Sequence, residues 1–100
     1  MENYKEKKVI IRSNGAGVFF GTLNDYDMQN GVVELLNTRR LWYWSGACSL
    51  SQLATEGVKY PNDCKFTVIV PQMQVANVLE VIPCTEQAVK NIENVPVWKK

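Results

Sequence analysis

The chain has 100 residues, 46% of them hydrophobic and 21% charged, with 11 basic and 10 acidic side chains and a net charge of +1. This length suits one domain, and the composition is that of a folded globular protein rather than a disordered chain. Proteins that grip long nucleic acids usually carry a broad basic field, so the balanced charge argues against that class of partner.

The apolar runs are short, and the charged start MENYKEKK is not followed by an apolar segment. We therefore expect no membrane span, no secretory signal and a cytoplasmic protein. The chain has no histidine, and its three cysteines, Cys48, Cys64 and Cys84, are too widely spaced for a zinc site. Free, buried thiols are expected, without a metal or a cofactor.

The first predicted strands are residues 8–12 and 18–23. Residues 13–17 between them contain the asparagine and glycines of a hairpin turn. The segment GAGVFFG lacks the lysine and the following helix that phosphate loops require, so it is interpreted as part of this hairpin. Gly21 inside the second strand indicates a bulge or a close approach of another backbone.

Two further strands are predicted after the tight-turn signal Asn30-Gly31. They are residues 32–36 and 39–44, separated by a short turn at residues 37–38. Four consecutive strands with short connections form an antiparallel meander.

Two short helices are predicted by their capping residues. Ser49 with Gln52 three positions later forms a capping box, and Gly57 is placed to end that helix. Thr85 caps the second helix, predicted over residues 85–92.

Residues 65–70 and 74–82 are predicted strands separated by a break at Pro71. The expected fold is a single β-rich α+β domain over residues 1–100, with about six antiparallel strands in a curved sheet or partly open barrel and two short helices. Residues 1–7 are expected to form a flexible lead. Residues 95–100 are expected to form a tail that docks through Val97 and Trp98.

The stretch RRLWYWSGA is the most distinctive part of the chain. Period-2 alternation puts Arg40, Trp42 and Trp44 on one face of the strand, and Leu41 and Tyr43 on the other. A cation followed by two indoles can stack on a flat ring and pair with an anion. The alternative is that both tryptophans bury against the helices while Arg40 caps the edge of the sheet. Leu41 and Tyr43 are expected in the core.

The same strand leads into small residues and a helix start, which can present backbone N–H groups to an anion. Arg39, Arg40 and Lys65 could supply phosphate contacts. The sequence therefore predicts a site for a small anionic ligand, and the alternative is an ordinary turn with a satisfied cap. The candidate ligand-binding residues are Arg39, Arg40, Trp42, Trp44, Ser45, Ser49 and Lys65.

Catalysis is not indicated by any group of side chains in the sequence. Asp25 and Asp27 flank a loop tyrosine and suit a solvated turn, and the missing histidines exclude Ser-His and Cys-His pairs. We expect a protein that is not an enzyme.

Residues 39–58, followed by PNDCKFTV and VIPCTEQAVKNIENV, resemble a family of small proteins from tailed phages and mobile elements that is described as a domain of unknown function. The resemblance runs from about Val9 to Trp98. It implies a phage protein that acts on a host. One class of such proteins sequesters nucleotide signals of antiphage defence in homo-oligomers.

The leading hypothesis is therefore a homo-oligomeric sponge for a nucleotide or cyclic nucleotide in the host cytoplasm. Two alternatives stay open. The Arg/Trp patch could instead block a host protein, because these residue types dominate interface hot spots. The protein could also have an accessory structural role in a phage particle.

Overall fold

The computed structural model describes residues 4–99, which form a six-stranded antiparallel sheet and two helices. The β-rich α+β class and the number of strands and helices are confirmed. No helix within the described residues is long and apolar enough to span a bilayer. The elements are β1 Lys8–Ser13, β2 Gly17–Asp27, β3 Val32–Tyr43, α1 Leu50–Glu56, β4 Lys65–Phe66, β5 Val70–Val75, β6 Val78–Pro83 and α2 Glu86–Glu93, with a 3-10 turn at Pro61–Asp63.

The three long strands form a meander, and the short ones line its edges. The order is β4-β3-β2-β1-β6, and β5 also pairs with β3. β5 lies along the first part of β3, and β4 lies along its last residues. The strand pairs are antiparallel, and the predicted hairpin at residues 13–17 is confirmed.

The breaks predicted at residues 37–38 and at Pro71 lie inside strands, and the strand predicted over residues 74–82 contains a break that was not predicted. The turn predicted at residues 37–38 is a kink inside the continuous strand β3, where Asn37 adopts a positive φ of 51°. The strand predicted over residues 74–82 is instead divided by a corner, where Asn77 has a φ of 57°. Pro71, predicted to break the chain, lies within edge strand β5, where a missing N–H is tolerated.

The sheet curves until its edges approach each other at the corner between β5 and β6. Asn14 N donates to Asn77 O at 2.9 Å, Val78 N donates to Gly31 O at 2.9 Å, and Ser13 Oγ donates to Ala76 O at 2.6 Å. Because β5 and β6 do not pair with each other, the sheet stays open.

Each face of the sheet carries a hydrophobic core. The strand core fills the inside of the curve and is built by Val9, Ile11, Phe19, Leu23, Val33, Leu35, Val75 and Val78. The helix core lies between the other face and both helices, and it comprises Ile10, Phe20, Leu41, Leu53, Ala54, Val58, Cys64, Phe66, Ala88, Ile92 and Val95. Consecutive residues of β1 and β2 thus serve opposite cores, as strand alternation requires.

Both helix caps agree with the sequence. Ser49 Oγ accepts from Gln52 N, and Thr85 Oγ1 accepts from Ala88 N, each at 3.1 Å. Gly57 ends α1 with a φ of 81°, and its missing Cβ leaves room for Asn91, whose amide pairs with both backbone groups of Val58 at 2.7 and 2.8 Å. The two helices are thereby joined at their ends.

The described residues near both chain ends are packed against the sheet. Residues 1–3 of the predicted flexible lead and Lys100 lie outside the described residues. The rest of the lead is held in place, because Glu6 N donates to Leu23 O at 2.7 Å and Tyr4 packs against the strand core. The tail docks as expected, with Val97 in a parallel bridge to Phe66.

Gly21 provides the space for the kink in β3. A Cβ there would lie 2.9 Å from Thr38 Oγ1 and 3.1 Å from Leu36 O.

We expect Gly21→Ala to lower the free energy of unfolding by about 1–3 kcal/mol, as overpacking does, measured by urea denaturation. Thr38→Val is the matched control, because the buried Thr38 hydroxyl has no hydrogen-bond partner and its loss should cost nothing. Equal stability of Gly21→Ala and the unsubstituted protein would contradict this close approach.

Candidate functional site

Arg39, a predicted phosphate ligand, is buried and holds the tail. Its side chain is 3% exposed and lies over the Phe66 ring, 5.5 Å from the centroid. Burial lowers the pKa of Arg39 from its ordinary value, although arginine stays protonated in proteins. Within the described residues the structure gives it no ion pair.

Five backbone carbonyls surround this charge. Arg39 Nε donates to Thr67 O at 3.0 Å, and Nη1 donates to Ile92 O at 2.9 Å and Val95 O at 3.0 Å. Nη2 donates to Phe66 O at 3.2 Å and Pro96 O at 3.4 Å. A guanidinium has five N–H donors, so Arg39 has none left for a phosphate, and its assignment as a ligand residue is corrected to a structural one.

Trp42 and Trp44 do not share a face. The pairing of β3 with β4 shifts between Leu41 and Tyr43, so the alternation of side chains is interrupted at Trp42. Trp42 is 64% exposed and Tyr43 is 51% exposed, whereas Trp44 packs against the helix core. Leu41 is buried as expected, but the assignment of Tyr43 to the core is wrong.

The exposed end of β3 forms what we call the aromatic surface, made of Trp42, Tyr43, Lys65 and Trp98. Tyr43 is the cross-strand partner of Lys65. The Lys65 ammonium lies 5.4 Å from the centroid of the Trp98 ring, a cation–π contact. Trp98 itself is 43% exposed and is fixed by its backbone N–H, which donates to Phe66 O at 2.9 Å.

Arg40, two residues before Trp42 on β3, is only partly engaged. Its guanidinium stacks 4.7 Å from the centroid of Phe19, and Nη1 donates to Ala16 O at 3.1 Å. The side chain is half-buried. Arg40 and Lys65 are thus the two predicted cations that the structure leaves at the surface.

The turn after β3 is largely satisfied from within. Ser45 N donates to the Cys64 sulfur at 3.4 Å, and Ser45 O accepts from Tyr60 N at 3.3 Å. Ser49 Oγ serves as the helix cap, and Cys48 N donates to Gln52 Oε1 at 2.9 Å. Ser45 and Ser49 therefore stabilise the turn, and the structure does not bring them to the aromatic surface as ligand donors.

Sequence reasoning did not assign Trp98 or Tyr43 to the site. Trp98 could have been considered because of its position in the tail, where an isolated tryptophan is expected to dock onto another element. The pairing of β4 with β3 brings Lys65 opposite Tyr43, and the register of this pairing cannot be predicted from the sequence.

Other cavities lie away from the aromatic surface. An apolar cavity of about 100 Å³ at the rim of the strand core is lined by Tyr4, Leu23, Tyr26, Met28 and Val81. Two polar grooves border α2 and the end of α1, and an acidic one follows the β2–β3 hairpin. Within residues 4–99 no three Cys, Asp or Glu side chains come together in a metal-binding arrangement.

The fold and the aromatic surface define a small β-rich module with exposed rings and cations at one end of its sheet. The chain belongs to the family described as a domain of unknown function, DUF6948, whose model matches residues 6–92. Nothing among the curated proteins or the solved structures matches it. The docked tail, including Trp98, lies beyond the matched residues.

Removal of the Arg39 charge tests its structural role. We expect Arg39→Met to lower the free energy of unfolding by about 3–5 kcal/mol, since buried carbonyls lose their donors. Arg40→Met, the matched control on the neighbouring residue, should cost less than about 1 kcal/mol because Arg40 is partly exposed. Urea denaturation measures both, and similar losses for the two variants would contradict the assignment.

Thiol reactivity tests the burial of the cysteines. Cys48 is exposed, which corrects the expectation that the thiols are all buried, while burial raises the pKa of Cys64 and raises that of Cys84 to about 12. At pH 8 a thiol reagent should label the exposed Cys48 fastest, the half-buried Cys84 more slowly and the buried Cys64 only on unfolding.

The raised pKa also gives a pH dependence of stability. The unfolded chain loses the Cys84 proton near the ordinary pKa of 9.0, and the folded chain only near 12. Stability should therefore fall as the pH rises from 9 to 12. Cys84→Ala should reduce that slope, and an equal slope in Cys84→Ala and the unsubstituted protein would contradict this assignment.

Proposed function

We propose that this protein is a non-enzymatic binding module that captures a nucleotide or cyclic nucleotide on the aromatic surface. The observation that carries the proposal is the exposure of Tyr43 and Trp98 on either side of Lys65, with the exposed Trp42 next to Tyr43 in the chain. Large rings in a small domain gain stability by burial, so exposed rings at this end of the sheet favour a binding surface.

The chemistry of the surface suits a flat anion. Exposed indole and phenol rings stack on bases without sequence preference. Lys65 lies among the rings, and Arg40 is two residues before Trp42 on β3. Both cations can pair with phosphate oxygens. Arg39 and Trp44, which the sequence suggested as ligand contacts, have no part in this arrangement.

The biological role that we propose follows from the resemblance to phage proteins. A phage protein that binds a nucleotide signal of host defence, in the host cytoplasm, would suppress the response by sequestration. Sequestration requires only tight, saturable binding and no catalytic group. A homo-oligomer belongs to the same proposal, because the surface is open and a second copy could cover a bound ligand.

A second candidate is inhibition of a host protein through the same surface. Tryptophan and tyrosine are enriched in interface hot spots, and none of the cavities described above includes the rings of the aromatic surface. This candidate predicts a complex of fixed stoichiometry with one host protein, which Trp42→Ala disrupts.

The nucleotide proposal is tested by purifying the protein from cells with an active nucleotide-based defence and identifying the small molecules bound to it. The purified protein is denatured, and the released small molecules are identified by mass spectrometry. The unsubstituted protein should release a nucleotide, and Trp42→Ala should release at least fivefold less, since stacking on one ring contributes about 1–3 kcal/mol.

Leu79→Ala is the control for this experiment. Leu79 is an exposed apolar residue on β6, outside the aromatic surface, so its substitution should leave the amount unchanged. An empty supernatant from such cells, or equal release by Trp42→Ala and the unsubstituted protein, would count against the proposal.

A further inference from the structure

The aromatic surface places one cation between two sets of rings. Lys65 on β4 has β3 on one side, where Tyr43 is its partner, and the docked tail on the other, where Trp98 lies. Neighbouring strands lie about 4.8 Å apart, so the backbones of Tyr43 and Trp98 are separated by about 10 Å. Across the three strands the order is ring, cation, ring.

This order matches the order of groups in a dinucleotide, which is base, phosphate, base. A mononucleotide can use one ring and the cation, and it leaves the second ring exposed. Two bases that are splayed apart can each stack on an aromatic side chain while the phosphate between them meets the cation. The Lys65 ammonium lies over one face of the Trp98 ring.

Charge complementarity also favours an anionic ligand here. Three cations belong to the aromatic surface or lie within two residues of it in the chain, and they are Arg40, Lys65 and Lys99. Asp63, near the start of β4, is the acidic residue closest to them in sequence. The acidic side chains Asp25, Asp27 and Glu34 lie along the far end of β3 and its hairpin.

The net charge of +1 therefore does not show that cations lie near the aromatic surface while carboxylates line the β2–β3 hairpin. A basic area of this size can meet a few phosphates but not the length of a duplex. The ligand that fits it is short.

We infer that the ligand is a nucleotide with two or more bases joined by a phosphodiester, an inference that rests on the proposed function. One base stacks on Trp98, a second stacks on Tyr43, and the phosphate between them pairs with Lys65. A cyclic dinucleotide and a short single strand share this chemistry.

The docked tail is then part of the binding surface. Arg39 holds its backbone through the carbonyls of Val95 and Pro96. The Trp98 side chain makes no contribution to those bonds, so Trp98→Ala should leave the tail in place. The conservative variant Trp98→Phe keeps a ring at the position.

The test compares the affinities of adenosine monophosphate, linear diadenylate, cyclic diadenylate and a hexa-adenylate strand by calorimetry. We expect at least one of the ligands with two or more bases to bind at least fivefold more tightly than the mononucleotide. Trp98→Ala should abolish this advantage, Trp98→Phe should retain most of it, and Leu79→Ala should leave it unchanged. Tighter binding of the cyclic dinucleotide than of the linear one identifies a cyclic signal, and a further gain with hexa-adenylate identifies a single strand.

Salt dependence gives an independent readout of the phosphate contact. For a single strand the logarithm of affinity falls with the logarithm of salt concentration by about 0.7 per phosphate contact. Lys65→Gln should therefore reduce the slope for hexa-adenylate by about that amount, which a purely structural role of Lys65 would not do.

The two proposals fail in different ways. Equal affinities for the mononucleotide and the longer ligands, with Trp42→Ala weakening all of them, would overturn the two-base inference and leave nucleotide binding intact. An advantage that persists in Trp98→Ala would also overturn it. No binding of any of the four ligands would overturn both.

Discussion

The aromatic surface depends on the buried guanidinium of Arg39. Its five N–H donors bind carbonyls from the end of β4, the end of α2 and the tail. The charge is stabilised by carbonyl dipoles in place of a carboxylate, and burial without them would be costly. Because the same side chain fixes both β4 and the tail, it sets the positions of Lys65 and Trp98 relative to β3.

Arg39 reaches those carbonyls because β3 is kinked. Val33 and Leu35 point into the strand core, and regular alternation would send residue 39 the same way. The register between β2 and β3 shifts around Asn37, where three steps along β3 oppose two along β2. This inverts the alternation, so that Arg39 and Leu41 face the helix core. A second shift at Trp42 exposes Tyr43 and returns Trp44 to the helix core.

Much of the fold was predictable because it rests on local chemistry. The hairpin at residues 13–17, the caps at Ser49 and Thr85 and the end of α1 at Gly57 each follow from a residue type with a definite backbone role. The close approach at Gly21 was likewise indicated by a glycine inside a strand. These features need no knowledge of which strands pair.

The candidate site was less predictable because it depends on register. Period-2 alternation put Trp44 on one face with Trp42 and assigned Tyr43 to the core, and a single bulge separates the two tryptophans and exposes Tyr43. Arginine is rarely buried, so Arg39 looked like a ligand residue. The net charge did not indicate the cations near the aromatic surface, because a sum of charges carries no information on their positions.

The three tryptophans provide the most direct test that the aromatic surface is the binding site. Trp42 and Trp98 are exposed on it, and Trp44 packs against the helix core, so their indole N–H signals in a nitrogen-15 correlation spectrum report on two environments. On titration with cyclic diadenylate, the signals of Trp42 and Trp98 should shift and saturate together while that of Trp44 stays in place. A shift confined to Trp44, or no shift of any indole at saturating ligand, would contradict the account.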